Sequence, residues 1–175
     1  KLKYQKEILP ELRKQFNYKN INTVPKLAKI SVSVGINQAN KDTKFFENVV
    51  ETLRRITGQT PVKTLAKKSI STLKVRQGMV VGVKVTLRGK RMYDFFDKLV
   101  NITMARVRDF RGVEEKLLDG HGNLSFGFRE HIVFPEISPD EVERIHGLEV
   151  AITTTAKTDQ EGKALLKLLG MPFGQ

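Results

Sequence analysis

From Lys29 to Ile36 the chain alternates without a break. Ile30, Val32, Val34 and Ile36 are apolar, while Lys29, Ser31, Ser33 and Gly35 between them are small, polar or basic. Successive side chains of an extended strand point to opposite faces. Such a segment is satisfied only in a sheet with one covered face and one open face, the habit of antiparallel sheets. The pattern returns at 82–88, where Val83, Val85 and Leu87 alternate with Lys84, Thr86 and Arg88. Shorter strands are predicted at 61–67, 124–129 and 148–157, the last rich in Ile, Val and Thr.

Four helices would supply the cover. Residues 4–16 place Ile8, Leu12 and Phe16 four apart, and 43–57 carry Phe45, Phe46, Val49, Val50, Leu53 and Ile56 on one stripe. Asp42 is the expected cap of that second helix and Gly58 its stop. A third helix, about 91–105, buries Met92, Phe95, Phe96, Leu99 and Ile102. The fourth, 159–169, opens with Thr158 and Glu161 in capping-box spacing and ends before Gly170 and Pro172. Between two strands, Lys67 to Met79 has no period, which predicts a long, mobile loop. The order predicts an α+β fold, with helices packed on one face of a largely antiparallel sheet. No linker or repeat divides the 175 residues, so one domain is expected.

Charge says what the open face is for. The chain carries 31 Lys and Arg against 19 Asp and Glu, a net +12. No acid stands between Glu51 and Asp94, a stretch of 42 residues with 11 basic ones; the rest of the chain holds 20 basic and 19 acidic residues. A polyanion is the expected partner. If helices cover the apolar face, the other face shows Lys29, Ser31, Ser33, Lys84, Thr86 and Arg88, a platform of donors and cations left open for RNA. The basic stretch has no Phe or Trp, so stacking on single strands is disfavoured against recognition of backbone and shape. Residues 112–150 have the opposite bias, nine acids against Lys116, Arg129 and Arg144. That segment is either solvated surface or a meeting place for a basic protein.

Other chemistries find little support. No apolar run is long enough to span a bilayer, no secretory signal is visible, and no basic helix pairs a cationic face with an exposed apolar one. With no cysteine, disulfides and thiolate zinc sites are excluded. His121, His131 and His146 are scattered and read as surface or loop residues. Gly120-His121-Gly122 precedes a strand rather than a helix, so it is no phosphate loop. Neither an enzyme nor a cofactor, metal or small-molecule substrate is expected.

Several segments together carry a resemblance: Val34-Gly35-Ile36-Asn37, Thr57-Gly58-Gln59, Ala66-Lys67-Lys68-Ser69-Ile70-Ser71, Arg76-Gln77-Gly78-Met79, Lys84-Val85-Thr86-Leu87-Arg88-Gly89, Arg106-Val107-Arg108-Asp109-Phe110-Arg111-Gly112, Phe134-Pro135-Glu136-Ile137, the run from Thr153 to Thr158, and Gly170-Met171-Pro172-Phe173. In this order and over essentially the full length, the chain resembles the bacterial-type large-subunit ribosomal protein five. That resemblance implies a structural protein of the central protuberance, on cytoplasmic or organellar ribosomes, which binds 5S rRNA and helps attach it. By the same resemblance Asn37, Gln59 and Thr86 face that RNA, with Lys29, Lys63 and Arg88 on phosphates; Ser31 and Lys84 share the expected face. The loop with Lys68, Lys74, Arg76, Gln77, Gly78 and Met79 corresponds to one that reaches P-site tRNA. The acids Glu114, Glu115, Glu136, Asp140 and Glu141 lie in the region that meets small-subunit ribosomal protein thirteen in an intersubunit bridge. Further implied partners are 23S-type rRNA and the neighbouring 5S rRNA-binding ribosomal proteins. The basic RNA-binding portion is expected over about 26–93 and the acidic, partner-facing portion over about 112–150. The alternative function is a general RNA chaperone that binds nucleic acid without specificity. One departure stands out: Met104-Ala105 replaces the family's Leu-Pro before Arg106, so the expected proline stop of the third helix is missing. Arg106, Arg108 and Arg111 either contact RNA or pair with Asp109 and the acids that follow.

Overall fold

The computed structural model describes residues 2–36 and 43–174. Five strands, β1 (Leu27–Gly35), β2 (Val62–Leu65), β3 (Val80–Leu87), β4 (Leu124–Phe128) and β5 (Leu148–Thr154), form one sheet in the order β2-β3-β1-β5-β4. Every neighbouring pair runs antiparallel. β2 pairs with β3 in that sense. Ile36, just past the end of β1, donates to the Val81 carbonyl at the start of β3. Thr155, just past β5, donates to the Lys26 carbonyl just before β1, and the His131 amide after β4 donates to the His146 carbonyl before β5.

Helix α1 (Leu9–Gln15) is entered through a π-helical turn, Tyr4–Ile8. The others are α2 (Thr43–Thr57), α3 (Gly89–Lys98) and α4 (Asp159–Leu168). The predicted α+β fold is observed. The cap expected of Asp42 falls outside the described residues. Gly58 does stop α2: its φ is +64°, and its amide donates to the Arg54 carbonyl. At α4, Thr158 accepts from the Glu161 amide while the Glu161 carboxylate accepts from the Lys157 amide. α3 ends without a proline. Its pitch widens over Leu99–Thr103, tightens over Met104–Arg106, and the backbone turns extended at Val107. Met104 is buried, while Ala105, at the position of the expected proline, is exposed.

The chain divides into two compact units, each assembled from separate stretches. The first comprises Lys1–Ile30, Leu87–Phe126 and Ala151–Gln175. Its core includes Ile8, Leu12, Phe95, Phe96, Leu99, Met104, Leu165 and Leu166. The second comprises Ser31–Thr86 and Gly127–Val150, cored by Val32, Val34, Phe45, Val49, Leu53, Ile56, Val83 and Val85. In this second unit the alternation is realised as predicted: Val32, Val34, Val83 and Val85 are buried, Ser31, Ser33 and Thr86 are half-buried, and Lys84 is exposed.

Candidate nucleic-acid interface

In the second unit the β2–β3 register fixes which residues share a face. Val62 lies opposite Lys84, Lys63 opposite Val83, and Thr64 opposite Gly82. Directly opposed residues of an antiparallel pair project from the same face. Lys84 therefore shares its face with Val62, and Gly82 with Thr64. Lys63 is on the other face, with buried Val83, and its ammonium lies 4.8 Å from the centre of the Phe46 ring of α2. The register thus separates Lys63 from Lys84, which the sequence pattern groups together.

Gln59 is brought to Thr86. Its side-chain amide donates to the Thr86 carbonyl at 3.2 Å, which anchors the turn after α2 to the end of β3. Thr57 reinforces the turn, donating to the Leu53 carbonyl at 2.6 Å. Gly82 allows β1 and β3 to lie close: a Cβ there would be 2.6 Å from the Val34 carbonyl oxygen. Asn37 lies outside the described residues. Lys29, half-buried, and Arg88, exposed, belong to the first unit.

The acid-free stretch is less uniformly available than its composition suggests. Arg54 and Arg55 both pair with Glu51, just outside it, at 3.7 and 3.4 Å. The cations left facing solvent are Lys63 and those of the 67–79 segment, together with Lys84, Arg88, Lys90 and Arg91.

Residues 67–79, expected as a long, mobile loop, form a hydrogen-bonded hairpin. Ala66 donates to Met79 and Gly78 donates back to Ala66, closing the base. Ile70 and Val75 exchange bonds of 2.8 and 3.1 Å near the tip. Lys74 turns the chain with φ +50°, and the Gln77 amide donates to the Ser69 hydroxyl. The Arg76 amide is capped by the Met79 sulfur. Lys67, Lys68, Lys74 and Arg76 are exposed on it, together with Ile70 and Leu73. Its lack of sequence period reflects the absence of a buried face, not the absence of backbone pairing.

The acids of 112–150 do not form one surface element. Glu114 and Glu115 lie in the first unit, Glu136, Asp140 and Glu141 in the second. Glu114 pairs with Lys116 and Glu115 with Lys163. Asp140 is in a short 3₁₀ turn opened by Pro139. The side chain of Glu141 lies outside the described residues.

Of the three histidines expected on the surface or in loops, His131 and His146 both lie in the connection between β4 and β5, but they are not free surface groups. His131 is buried, and its ring stacks on that of His146 with 4.0 Å between centroids. Fifteen residues separate them in sequence, and only the β4–β5 pairing brings them together. A cavity of about 280 Å³ adjoins them, edged by Glu51, Arg55, Glu143 and Arg144, so its charges balance. Gly120-His121-Gly122 is a packing turn: Gly122 donates to Asp159 of α4 and accepts from the Thr154 hydroxyl. Among the described residues no group of three His, Asp or Glu side chains could hold a metal, and no helix is long and apolar enough to cross a membrane.

Comparison with known proteins bears on this geometry. Residues 20–76 match the family model described as ribosomal protein L5, and residues 80–173 match the model of the C-terminus of the same ribosomal family. Proteins named large ribosomal subunit protein uL5 are similar over nearly the whole chain. That of Thermotoga sp. (strain RQ2) is 56% identical over 170 residues, 97% of this chain and 92% of its own. That of Symbiobacterium thermophilum is 54% identical over 175 residues, 100% of this chain and 97% of its own. The Geotalea uraniireducens protein is 52% identical, covering 97% and 95%. With both halves matched and more than half of the residues shared, the chain belongs to the ribosomal protein L5 family of the large ribosomal subunit.

Proposed function

We propose that the chain binds 5S rRNA, helps attach it in the central protuberance, and does so through the polar face of β1 and β3. The observation that carries this reading is the segregation seen in the second unit. Ser31, Ser33, Lys84 and Thr86 alternate with buried valines, and α2 covers the other side of the sheet at Phe46 and Lys63. Hydroxyls and an ammonium on a firm sheet suit the shallow minor groove and 2′-hydroxyls of RNA. Gln59 holds the Thr86 backbone in register for that contact. Asn37, Lys29, Lys63 and Arg88 enter the proposal through the family resemblance, Lys63 being exposed on the Phe46 side of β2.

The same reading assigns the 67–79 hairpin to P-site tRNA, since it carries its cations away from the sheet on a paired backbone. It assigns Asp140 and its acidic neighbours to small-subunit ribosomal protein thirteen, with 23S-type rRNA and neighbouring 5S rRNA-binding proteins as further contacts on a cytoplasmic ribosome. Titration of 5S rRNA against an unrelated folded RNA of equal length, across a salt series, tests the core claim. Specific binding leaves a preference that survives added salt, and Thr86→Ala reduces it by roughly 1–3 kcal/mol. Equal affinity for both RNAs at every salt concentration is the behaviour of a general RNA chaperone and would overturn the specific reading.

A further inference from the structure

The whole-chain charge balance conceals a second basic block. Residues 1–30 carry eight Lys and Arg against only Glu7 and Glu11, a local charge of +6 that the −6 of residues 112–150 cancels. All thirty belong to the first unit. The end of α1 and the turn after it bound a groove of about 680 Å³. Arg13, Lys14 and Lys19 stand along it, each exposed. Among the described residues, none of the three is paired with a carboxylate. Arg13 gives its Nε to the Tyr18 carbonyl, at 3.3 Å, and its terminal amines have no hydrogen-bond partner among the described residues.

An aromatic ring lines the same groove, its neighbour Phe16 lying 6.0 Å from it between centroids. Tyr18 is half-buried, and its hydroxyl donates to the Glu161 carboxylate at the start of α4. The ring is thus held in place before any ligand arrives. Pro10 and Ile21 complete an apolar lining, with Ile21 51% exposed. Cations set around a fixed ring are the means by which proteins hold unstacked nucleotides, the base on the ring and the phosphates on the charges. The acid-free stretch has no such ring until Tyr93 at its end. A membrane surface fits less well, because α1 turns Ile8 and Leu12 into the core and leaves no broad apolar face.

We propose that this groove is a second RNA site, independent of the sheet face, which takes one unstacked nucleotide: its base against Tyr18, Pro10 and Ile21, its flanking phosphates on Arg13, Lys14 and Lys19. The nucleotide comes either from the RNA held by the sheet or from a separate strand. Because the chain has no cysteine, a single introduced thiol places a hydroxyl-radical source where it is wanted. Gln5→Cys at the groove and, in a second protein, Val62→Cys, exposed beside Lys84 on the same face of the sheet, serve as the two sites. Each full-length protein is mixed with 5S rRNA alone and with total large-subunit RNA.

The groove probe should cut a discrete set of nucleotides different from those cut by the sheet probe. Cuts in the 5S sample identify one RNA spanning both sites; cuts only in the total RNA identify a second strand. Adding Lys14→Glu and Lys19→Glu should erase the groove cuts, leave the sheet cuts, and lower the salt slope of binding by about 1.5–2. Tyr18→Phe keeps the ring but frees it from Glu161 and should lose less affinity than Tyr18→Leu, which should lose about tenfold. Sheet cuts without groove cuts, or groove cuts identical to the sheet cuts, would overturn the second site and leave the proposed function standing. An absence of both sets would overturn the two together. Groove cuts that persist after the double charge reversal, or a charge reversal that abolishes binding only to phosphatidylglycerol vesicles, would equally end the proposal.

Discussion

The rings of His131 and His146 lie parallel within 8°, and Nδ1 of His131 stands 3.2 Å from both the amide nitrogen and the carbonyl oxygen of His146. An unprotonated Nδ1 accepts from the amide, and a protonated one donates to the carbonyl. Both rings are held below the ordinary histidine range. Burial is the larger cause for each, and for His146, pushed down to about 4, the neighbouring His131 adds to it. The unfolded chain takes up protons near pH 6.5 and the folded chain near 4, so stability is fully present above about pH 6.5 and falls as pH drops toward 4. We expect a loss on the order of 2 kcal/mol over that window, measured as the shift in urea midpoint. His146→Phe keeps a ring in the stack and should flatten the dependence; an unchanged slope in that variant would refute the assignment.

Gly162, in the first turn of α4, meets Gly122 backbone to backbone. A Cβ at 162 would be 2.5 Å from the Gly122 Cα and carbonyl oxygen. In an open helix Gly→Ala gains about 0.5–1 kcal/mol. Here the clash is with backbone, and Gly162→Ala should cost about 1–3 kcal/mol net. Gly127→Ala is the control, since its nearest neighbour would be 3.7 Å away. Chemical denaturation should place Gly162→Ala well below wild type and Gly127→Ala within about 0.5 kcal/mol of it.

Gly82→Val should push β1 from β3, because the new Cβ would crowd the Val34 carbonyl. Hydrogen exchange should quicken at the Ile36 amide, which donates to Val81 beside it. RNA affinity should fall with the stability, through loss of the spacing between Ser33 and Lys84 and without removal of any contact group.

Arg76→Glu reverses a charge on the hairpin and leaves every backbone bond of that hairpin in place. Binding to isolated 5S rRNA should stay within about twofold, while affinity of reconstituted large subunits for P-site tRNA should drop. If the variant lost 5S rRNA in a filter assay, the division of labour between sheet and hairpin would be wrong.

Much of the fold was legible because long periods survive in the sequence. The alternation of β1 and β3 and the stripe of α2 each bury one face, and burial writes the period. Where no face is buried the sequence is silent: the 67–79 hairpin pairs through backbone groups that leave no residue pattern. β2 shows the intermediate case. Val62, Lys63, Thr64 and Leu65 do not alternate, so the face of Lys63 depended on the register with β3. The histidine pair depended on contacts fifteen residues apart. The +6 block at residues 1–30 was readable from the start, and was lost by summing it with the acidic segment.

The first unit takes its opening stretch from the first thirty residues and its closing stretch from the last twenty-five. During synthesis the start of the chain therefore emerges long before the strand and helix that complete its core. Tyr18 cannot meet Glu161, nor Lys26 its partner Thr155, until residues 143 and 129 positions further along the chain have been made. Until then the segment is an uncovered, strongly cationic polymer. Nascent molecules should need shielding, by a chaperone or by prompt capture on RNA, and truncation of the last helix should expose the beginning of the protein to proteases sooner than its middle.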